Sequence, residues 1–400
     1  MKEINGGITS IHGILTAGIH SGIKADKKDL ALIYSQMPAT ATALFTTNRL
    51  KGAPLIVTQE HLKTAKKIHA IIINSGNANA CTGRQGLEDA KKMTQITAHE
   101  LQIPPETVLV ASTGVIGKRL PMDKIEKGIK KAANSLGVKS EEAAEAILTT
   151  DTKPKEIAVK FTLSNEICAK IAGMAKGTGM ICPHLATMLI FLVTDVTISK
   201  QLLKKALVIA VNNSFNLITI DGDRSPNDMI VLLSNGLARN DGIKTADEDF
   251  KIFQHALNWV CLNLAKKIVE DGEGVTKLLK INVQGANSLF EAKQVAMSVA
   301  KSHLVKCAFY GEDPNWGRII TACGYSGAKI NPEVIDISFE QELIVRNGQK
   351  VDFDSDKVKN ILAQKEIMII IDLKQGNKEI TVLGCDLSQE NVSLNAHYTT

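Results

Sequence analysis

The segment Lys176-Gly-Thr-Gly-Met-Ile-Cys-Pro-His-Leu-Ala-Thr187-Met-Leu189 holds the residue types best suited to chemistry in this chain. Gly177, Gly179 and Pro183 set the shape of a loop, because glycine reaches conformations closed to other residues and proline locks its own φ. At the end of that loop a small residue and a β-branched hydroxyl, Ala186-Thr187, precede the apolar run Met188–Val193. A hydroxyl held rigidly at the start of a buried strand can attack the carbonyl of the residue before it. Hydrolysis of the resulting ester frees a new amine on Thr187, beside the threonine's own hydroxyl. That amine can act as the base for the hydroxyl, which is how a threonine without a histidine partner becomes a nucleophile. On spacing alone, Thr187 reads more readily as an ordinary strand threonine, since strands favour that residue.

Other chemistries are poorly served. Gly114-Val-Ile-Gly117-Lys118 is too short for a phosphate loop, and Arg119 stands where Ser or Thr should follow the lysine. No G-x-G-x-x-G opens a helix, no H-E-x-x-H occurs, and no G-x-S-x-G elbow is present. The histidines have no metal-ligand spacing. The seven cysteines are odd in number and lack C-x-x-C pairs, so neither a disulfide framework nor a zinc site is expected.

The elements that must position these residues alternate between strand and helix. Ala70–Ile73 reads as a buried strand closed by the turn-rich Asn74–Asn79. Thr107–Ala111 reads as a strand ending in the turn Ser112-Thr-Gly114. Strands are expected at Glu156–Leu163, Glu166–Ala175, Met188–Val196, Leu217–Ile220, Met229–Ser234, Lys277–Val283 and Ile367–Leu373. Helical spacing of apolar residues predicts helices over Gln85–Leu101, Asp123–Ser135, Ser140–Leu148 (with Ser140 as N-cap), Leu202–Asn212, Asp249–Glu270 and Glu291–Lys306. The last hundred residues read as short strands and polar turns. The pattern is an α/β or α+β one with several buried strands. It has no fixed-period repeat and no low-complexity linker.

With 400 residues the chain exceeds one ordinary core and predicts two lobes or more. At 44% hydrophobic and 22% charged it reads as globular, and at 4% aromatic its core must rest on Ile, Leu, Val, Ala and Met. The formal charge of +5 is small, and lysine pairs such as Lys130–Lys131 read as solvated helix faces, so no nucleic-acid partner is expected. No apolar run approaches the ~20 residues that span a bilayer. The start of the chain has no signal-peptide core, and a reducing cytoplasm is the expected compartment.

Several motifs in one order make the chain similar to the ornithine acetyltransferase family (ArgJ). They are Asn74–Asn79, Ser112–Gly117, Thr149-Thr-Asp-Thr-Lys-Pro154, Lys176–Leu189, Ser214-Phe-Asn216, Asp221-Gly-Asp223, Asn227-Asp228, Glu270–Gly274, Asp313–Arg318 and Asn395–Thr400. Family members often carry His where Cys182 stands, Asn-Met where His184-Leu185 stands, and Thr where Pro226 stands. These departures flank the residues that carry the chemistry and bear on loop detail and cleavage rate.

The resemblance implies an α/β (α+β) fold of the ornithine acetyltransferase/DmpA-like type, with layered helices and sheets in two lobes. It implies self-cleavage between Ala186 and Thr187 into an α chain, 1–186, and a β chain, 187–400, paired as an α2β2 assembly. It implies that Thr187 takes acetyl from N-acetylornithine and passes it to glutamate in a ping-pong cycle. Thr113 (hydroxyl) and Gly114 (backbone N–H) would form the oxyanion hole, and Thr150, Lys176, Thr187, Glu273, Asn395 and Thr400 would surround the substrate. No cofactor is implied, although some members also use acetyl-CoA as donor, and no residue here decides that point. The competing reading is an N-terminal-nucleophile amidohydrolase or aminopeptidase of related fold, which would give the acyl group to water. A third reading is a binding protein that keeps the fold, with the chain whole.

Overall fold

The computed structural model describes residues 1–182 and 188–397. It is a mixed α/β structure built on two sheets. The strands of the first are β1 (Lys2–Ile4), β2 (Ile14–Ile19), β3 (Leu30–Phe45), β4 (Ile68–Asn77), β5 (Val108–Val115), β6 (Lys155–Thr162), β7 (Cys168–Lys176), β8 (Leu189–Thr194) and β9 (Met229–Ser234). The second has β10 (Leu278–Ala286), β11 (Asp336–Phe339), β12 (Glu342–Arg346), β13 (Gln349–Lys350), β14 (Glu366–Asp372) and β15 (Lys378–Cys385). Helices α1 (Ala53–Thr64), α2 (Gly83–Leu101), α3 (Met122–Asn134), α4 (Ser140–Ala146), α5 (Lys200–Asn212) and α6 (Glu248–Glu270) cover the first sheet. Helices α7 (Leu289–Lys301), α8 (His303–Tyr310), α9 (Trp316–Gly324) and α10 (Ser355–Leu362) pack with the second, and α11 (Gln389–His397) follows it.

The first sheet runs β1-β6-β7-β8-β9-β3-β4-β5, with β2 also on β3. The β4–β5 and β8–β9 pairs are parallel and the others antiparallel. Strand β8 shows why the sequence folds this way. Leu189, Phe191 and Val193 enter one core and Ile190 and Leu192 the core on the opposite face. A strand buried on both faces reads as an unbroken apolar run, and no polar alternation is left for solvent. The long β3 bends to serve two neighbours: Leu30–Tyr34 pair with β4 and Thr40–Phe45 with β9.

Several expectations need correction. Ser112-Thr113-Gly114 is the continuation of β5, not a turn, and β4 likewise runs on to Asn77. Both strands stay paired because the register Asn74↔Ser112, Ser75↔Thr113, Gly76↔Gly114 continues past the apolar stretch. Residues 217–220 form no strand; Phe215–Leu217 is a 3-10 turn, and Ile218 makes only an isolated bridge to Leu383. The single helix expected over 291–306 is two, α7 and α8, broken at Ser302, whose hydroxyl accepts from the Val305 N–H at 3.3 Å and caps α8. Ser140 is the first residue of α4, with Lys139 as its N-cap; the Ser140 hydroxyl bonds Glu156 instead.

Candidate active site

Between β5, the end of β7 and the loop after α6 lies an open cleft. Six of the residues singled out from sequence line it: Thr113, Gly114, Thr150, Lys176, Glu273 and Asn395. Ala186, Thr187 and Thr400 lie outside the described residues, as does His184.

The β4–β5 wall is fixed by backbone geometry and amides. Gly114 has φ 127°, and a Cβ there would lie 2.4 Å from the carbonyl carbon of Gly76, so only glycine fits. Ser112 Oγ donates to Asn74 Oδ1 at 2.6 Å, and Asn74 Nδ2 donates to the Asn77 carbonyl at 2.8 Å. The amide of Asn227 reaches in from the loop before β9 and donates to the carbonyls of Ala78 (2.5 Å) and Ser112 (2.9 Å). The strand that presents Thr113 and Gly114 is thereby tied to the segment that starts β9.

Opposite it, Lys176 closes β7. Its register partner Leu189 pairs in turn with Met229, and Met229 with Phe45, so one row crosses four strands. Lys176 is buried and donates to Thr149 Oγ1 at 2.7 Å, with Asp151 Oδ2 3.7 Å away. Behind it, Lys155 donates to Asp151 Oδ1 at 2.7 Å and to Asp271 Oδ2 at 2.5 Å. Burial alone would raise the Asp151 carboxyl, but Lys176 and Lys155 overcome it and hold it well below the usual carboxylate range. Burial pushes the Lys176 ammonium down, against the pull of Asp151. Asp151 also accepts the Gly177 N–H at 2.8 Å, which starts the glycine loop. Asp221 steadies that loop further, accepting from Met180 N–H (2.5 Å) and Ile181 N–H (3.0 Å).

Glu273 forms the third side. Its N–H donates to the Thr178 carbonyl at 3.1 Å, and its carboxylate accepts from Asn395 Nδ2 at 3.0 Å. Helix α11 thus brings Asn395 to the cleft. Gly179 lets the carboxylate approach: a Cβ there would sit 2.8 Å from Glu273 Oε2. Thr150 and Thr178 hydroxyls share a hydrogen bond of 2.5 Å under the same loop.

Sequence reading gave no role to Thr149, Asp151, Lys155, Asp271, Asn227 or Asp228. The ionic group joins residues more than a hundred positions apart, and spacing along the chain carries no signal for that. Asp228 is buried; its Oδ1 accepts the Met188 N–H at 2.9 Å, and burial raises its carboxyl well above the usual range. The Asp313–Arg318 segment stands apart from the cleft: Asn315 caps α9, and Arg318 donates to the Leu304 carbonyl at 2.8 Å. Among the described residues no group of three or more His, Cys, Asp or Glu is placed to hold a metal, and no helix is long and apolar enough to cross a membrane.

Comparison with known proteins finds relatives along nearly the whole chain. The model of the ArgJ family matches residues 15–400. The arginine biosynthesis bifunctional protein ArgJ of Thermotoga neapolitana is 47% identical over 393 residues, covering 97% of this chain and 99% of that protein. The protein of the same name from Caldanaerobacter subterraneus subsp. tengcongensis is 46% identical over the full length of both. The crystal structure of ornithine acetyltransferase complexed with ornithine from Mycobacterium tuberculosis is 37% identical, covering 47% of this chain and 99% of that chain, with a TM-score of 0.43. On the match of the family model to residues 15–400 and the identity to these relatives, the chain belongs to the ArgJ family.

Proposed function

We propose that this enzyme of arginine biosynthesis moves an acetyl group from N-acetylornithine to glutamate through Thr187, after the backbone is cut between Ala186 and Thr187. The observation that carries this reading is the single cleft where Thr113, Gly114, Thr150, Lys176, Glu273 and Asn395 meet, in a chain whose curated relatives are named for arginine biosynthesis.

Cleavage begins when Thr187 Oγ attacks the Ala186 carbonyl carbon. The Oγ–C bond forms, the C–N bond breaks, and the nitrogen gains a proton. Water then splits the ester, its OH going to the Ala186 carbonyl and its H to Oγ. In turnover the freed amine takes the Oγ proton while Oγ attacks the acetyl carbonyl. Thr113 Oγ and the Gly114 N–H donate to the oxyanion, a contribution of about 3–4 kcal/mol per donor in well-studied enzymes. Ornithine leaves with the proton; the amine of glutamate then attacks the acetyl ester and Oγ recovers its hydrogen. Lys176 is the partner for a substrate carboxylate and Glu273 for an ammonium. Thr400 would complete the site from the chain end. The chemistry needs no cofactor.

The two fragments would remain together and pair as α2β2. The bifunctional name of the relatives suits acetyl-CoA as a second donor, tested by incubating it with glutamate. Seven free cysteines suit a reducing cytoplasm. The deciding assay supplies N-acetylornithine with and without glutamate. Acetylglutamate should form and ornithine release should depend on glutamate; release independent of glutamate would make the enzyme a hydrolase.

A further inference from the structure

The wall of the cleft that carries Thr113 and Gly114 continues outward into two short loops, 46–52 after β3 and 116–119 after β5. Both are sewn to the 77–80 segment. Ala53 N–H donates to the Asn79 carbonyl at 3.1 Å, and Gly117 N–H to the Ala80 carbonyl at 2.9 Å. Asn77 Nδ2 donates to the carbonyls of Lys118 (3.1 Å) and Arg119 (3.0 Å). The 46–52 loop is also fixed to the segment before β9. Thr46 Oγ1 donates to the Ser225 carbonyl at 2.9 Å, and Gly52 N–H to the Pro226 carbonyl at 3.0 Å. Asn48 Oδ1 accepts the Leu50 N–H at 3.0 Å and sets the turn between them. The inner members of this patchwork, Ala78, Ile116, Ser225 and Pro226, line the cleft.

Its outer members are cations. Arg49, Lys51, Lys118 and Arg119 are exposed, and none has an ion pair or a side-chain hydrogen bond among the described residues. No acid stands in 46–53 or 115–121 to offset them. Across the 46–52 loop, Asp221 and Asp223 precede Ser225, and Asp221 is already taken up by the N–H groups of Met180 and Ile181. The whole chain carries a formal charge of only +5, so four uncompensated cations on two adjoining loops are a concentration of it. Like charges held on fixed backbone repel one another, and an anion with several negative groups relieves that repulsion. Two of the four are guanidiniums, whose planar forks match phosphate oxygens. Between Arg49 and Lys51, Leu50 is 69% exposed and offers an apolar contact to the flat face of a base. Neither loop has an aromatic residue, so the stacking that single-stranded nucleic acid requires is missing.

We propose that Arg49, Lys51, Lys118 and Arg119 form a binding site, at the mouth of the cleft, for the phosphates of a small nucleotide-type ligand. That chemistry has two sources: a free nucleotide, or a carrier of the coenzyme A kind, whose arm would pass Ile116 and Pro226 toward Thr113 and Gly114. The carrier form rests on the acetyl-transfer reading above, and the site for phosphates does not.

The test is isothermal titration calorimetry of the full chain at low salt with coenzyme A, ADP and pantetheine, the last being the arm without phosphates. Wild type and the variant Arg49→Gln/Lys118→Gln/Arg119→Gln are compared. Wild type should bind coenzyme A and ADP, more weakly as salt rises, and should not bind pantetheine. Coenzyme A bound more tightly than ADP assigns the site to a carrier, and ADP bound as tightly or more so assigns it to a free nucleotide. The variant should lose about tenfold in affinity for both, since each exposed ion pair is worth a few-fold at most. It should keep the wild-type Tm and KM for N-acetylornithine, because none of the three residues lines the cleft. No binding by wild type, equal binding by the variant, or pantetheine bound as well as coenzyme A would overturn the proposal. So would a rise in the N-acetylornithine KM as large as the loss of coenzyme A affinity, which would make these cations part of the acetylornithine site. Binding is read without turnover: a protein that binds coenzyme A in this way yet transfers no acetyl group would count for the phosphate site and against the functional reading.

Discussion

Gly114 has less freedom than any other residue of the cleft for which a role is proposed. Its φ of 127° and the approach of Gly76 leave no room for a side chain. Gly114→Ala should destabilise the fold by on the order of 1–3 kcal/mol, read as a lowered Tm. Thr113→Ala, by contrast, should leave Tm nearly unchanged and lower kcat by about 10²-fold or more, the loss typical of one oxyanion donor. Asp151 carries a different load. Asp151→Asn leaves Lys155 and Lys176 buried with one fewer counter-charge, a change worth about 3–5 kcal/mol when one partner of a buried pair is removed. Asp151 is depressed below its ordinary value of 3.8, so its stabilisation is present above that pH and fades as pH falls further. Urea melts of wild type and Asp151→Asn should therefore differ at neutral pH and converge in strong acid.

The break at Ser302 leaves α7 packed on β10 and β15 while α8 turns to pack with α7 and α9. Ser302→Ala removes the cap on α8 and should cost about 1 kcal/mol, measured by denaturant unfolding. This break also marks where sequence stopped being informative. The apolar spacing over 291–306 continues across Ser302, and a serine inside such a pattern does not by itself end a helix. Strand β8 was legible because burial on both faces leaves an unbroken apolar run. Strands β4 and β5 were legible only in their apolar halves. Their polar ends, Asn74–Asn77 and Ser112–Gly114, look like turns one at a time and become strands because each pairs with the other. The candidate site was legible as motifs: Thr113, Gly114, Thr150, Lys176, Glu273 and Asn395 do line one cleft. The frame that holds it was not, because Lys155–Asp271 and Asn227–Ser112 are contacts between distant segments that no local pattern encodes.

At the scale of the whole molecule, the strand order bears on what a cut before Thr187 would do. β8 and β9 follow that point in the chain, yet they lie between β7 and β3, which precede it. Each would keep a full ladder to the other fragment, β8 to β7 and β9 to β3. Both fragments also contribute to the same cores, on either face of the sheet. Fragments 1–186 and 187–400 should therefore co-elute in native buffer and unfold in one transition, separating only in denaturant. Fragments that part on a size-exclusion column without denaturant would contradict this strand order.

The central claim is that Thr187 becomes an N-terminal nucleophile. Intact mass under denaturing conditions, with N-terminal sequencing of each fragment, tests it most directly. Two fragments are expected, one beginning Thr-Met-Leu-Ile. A single uncut chain that persists through long incubation would contradict it, because Thr187 would then have no free amine to serve as its base.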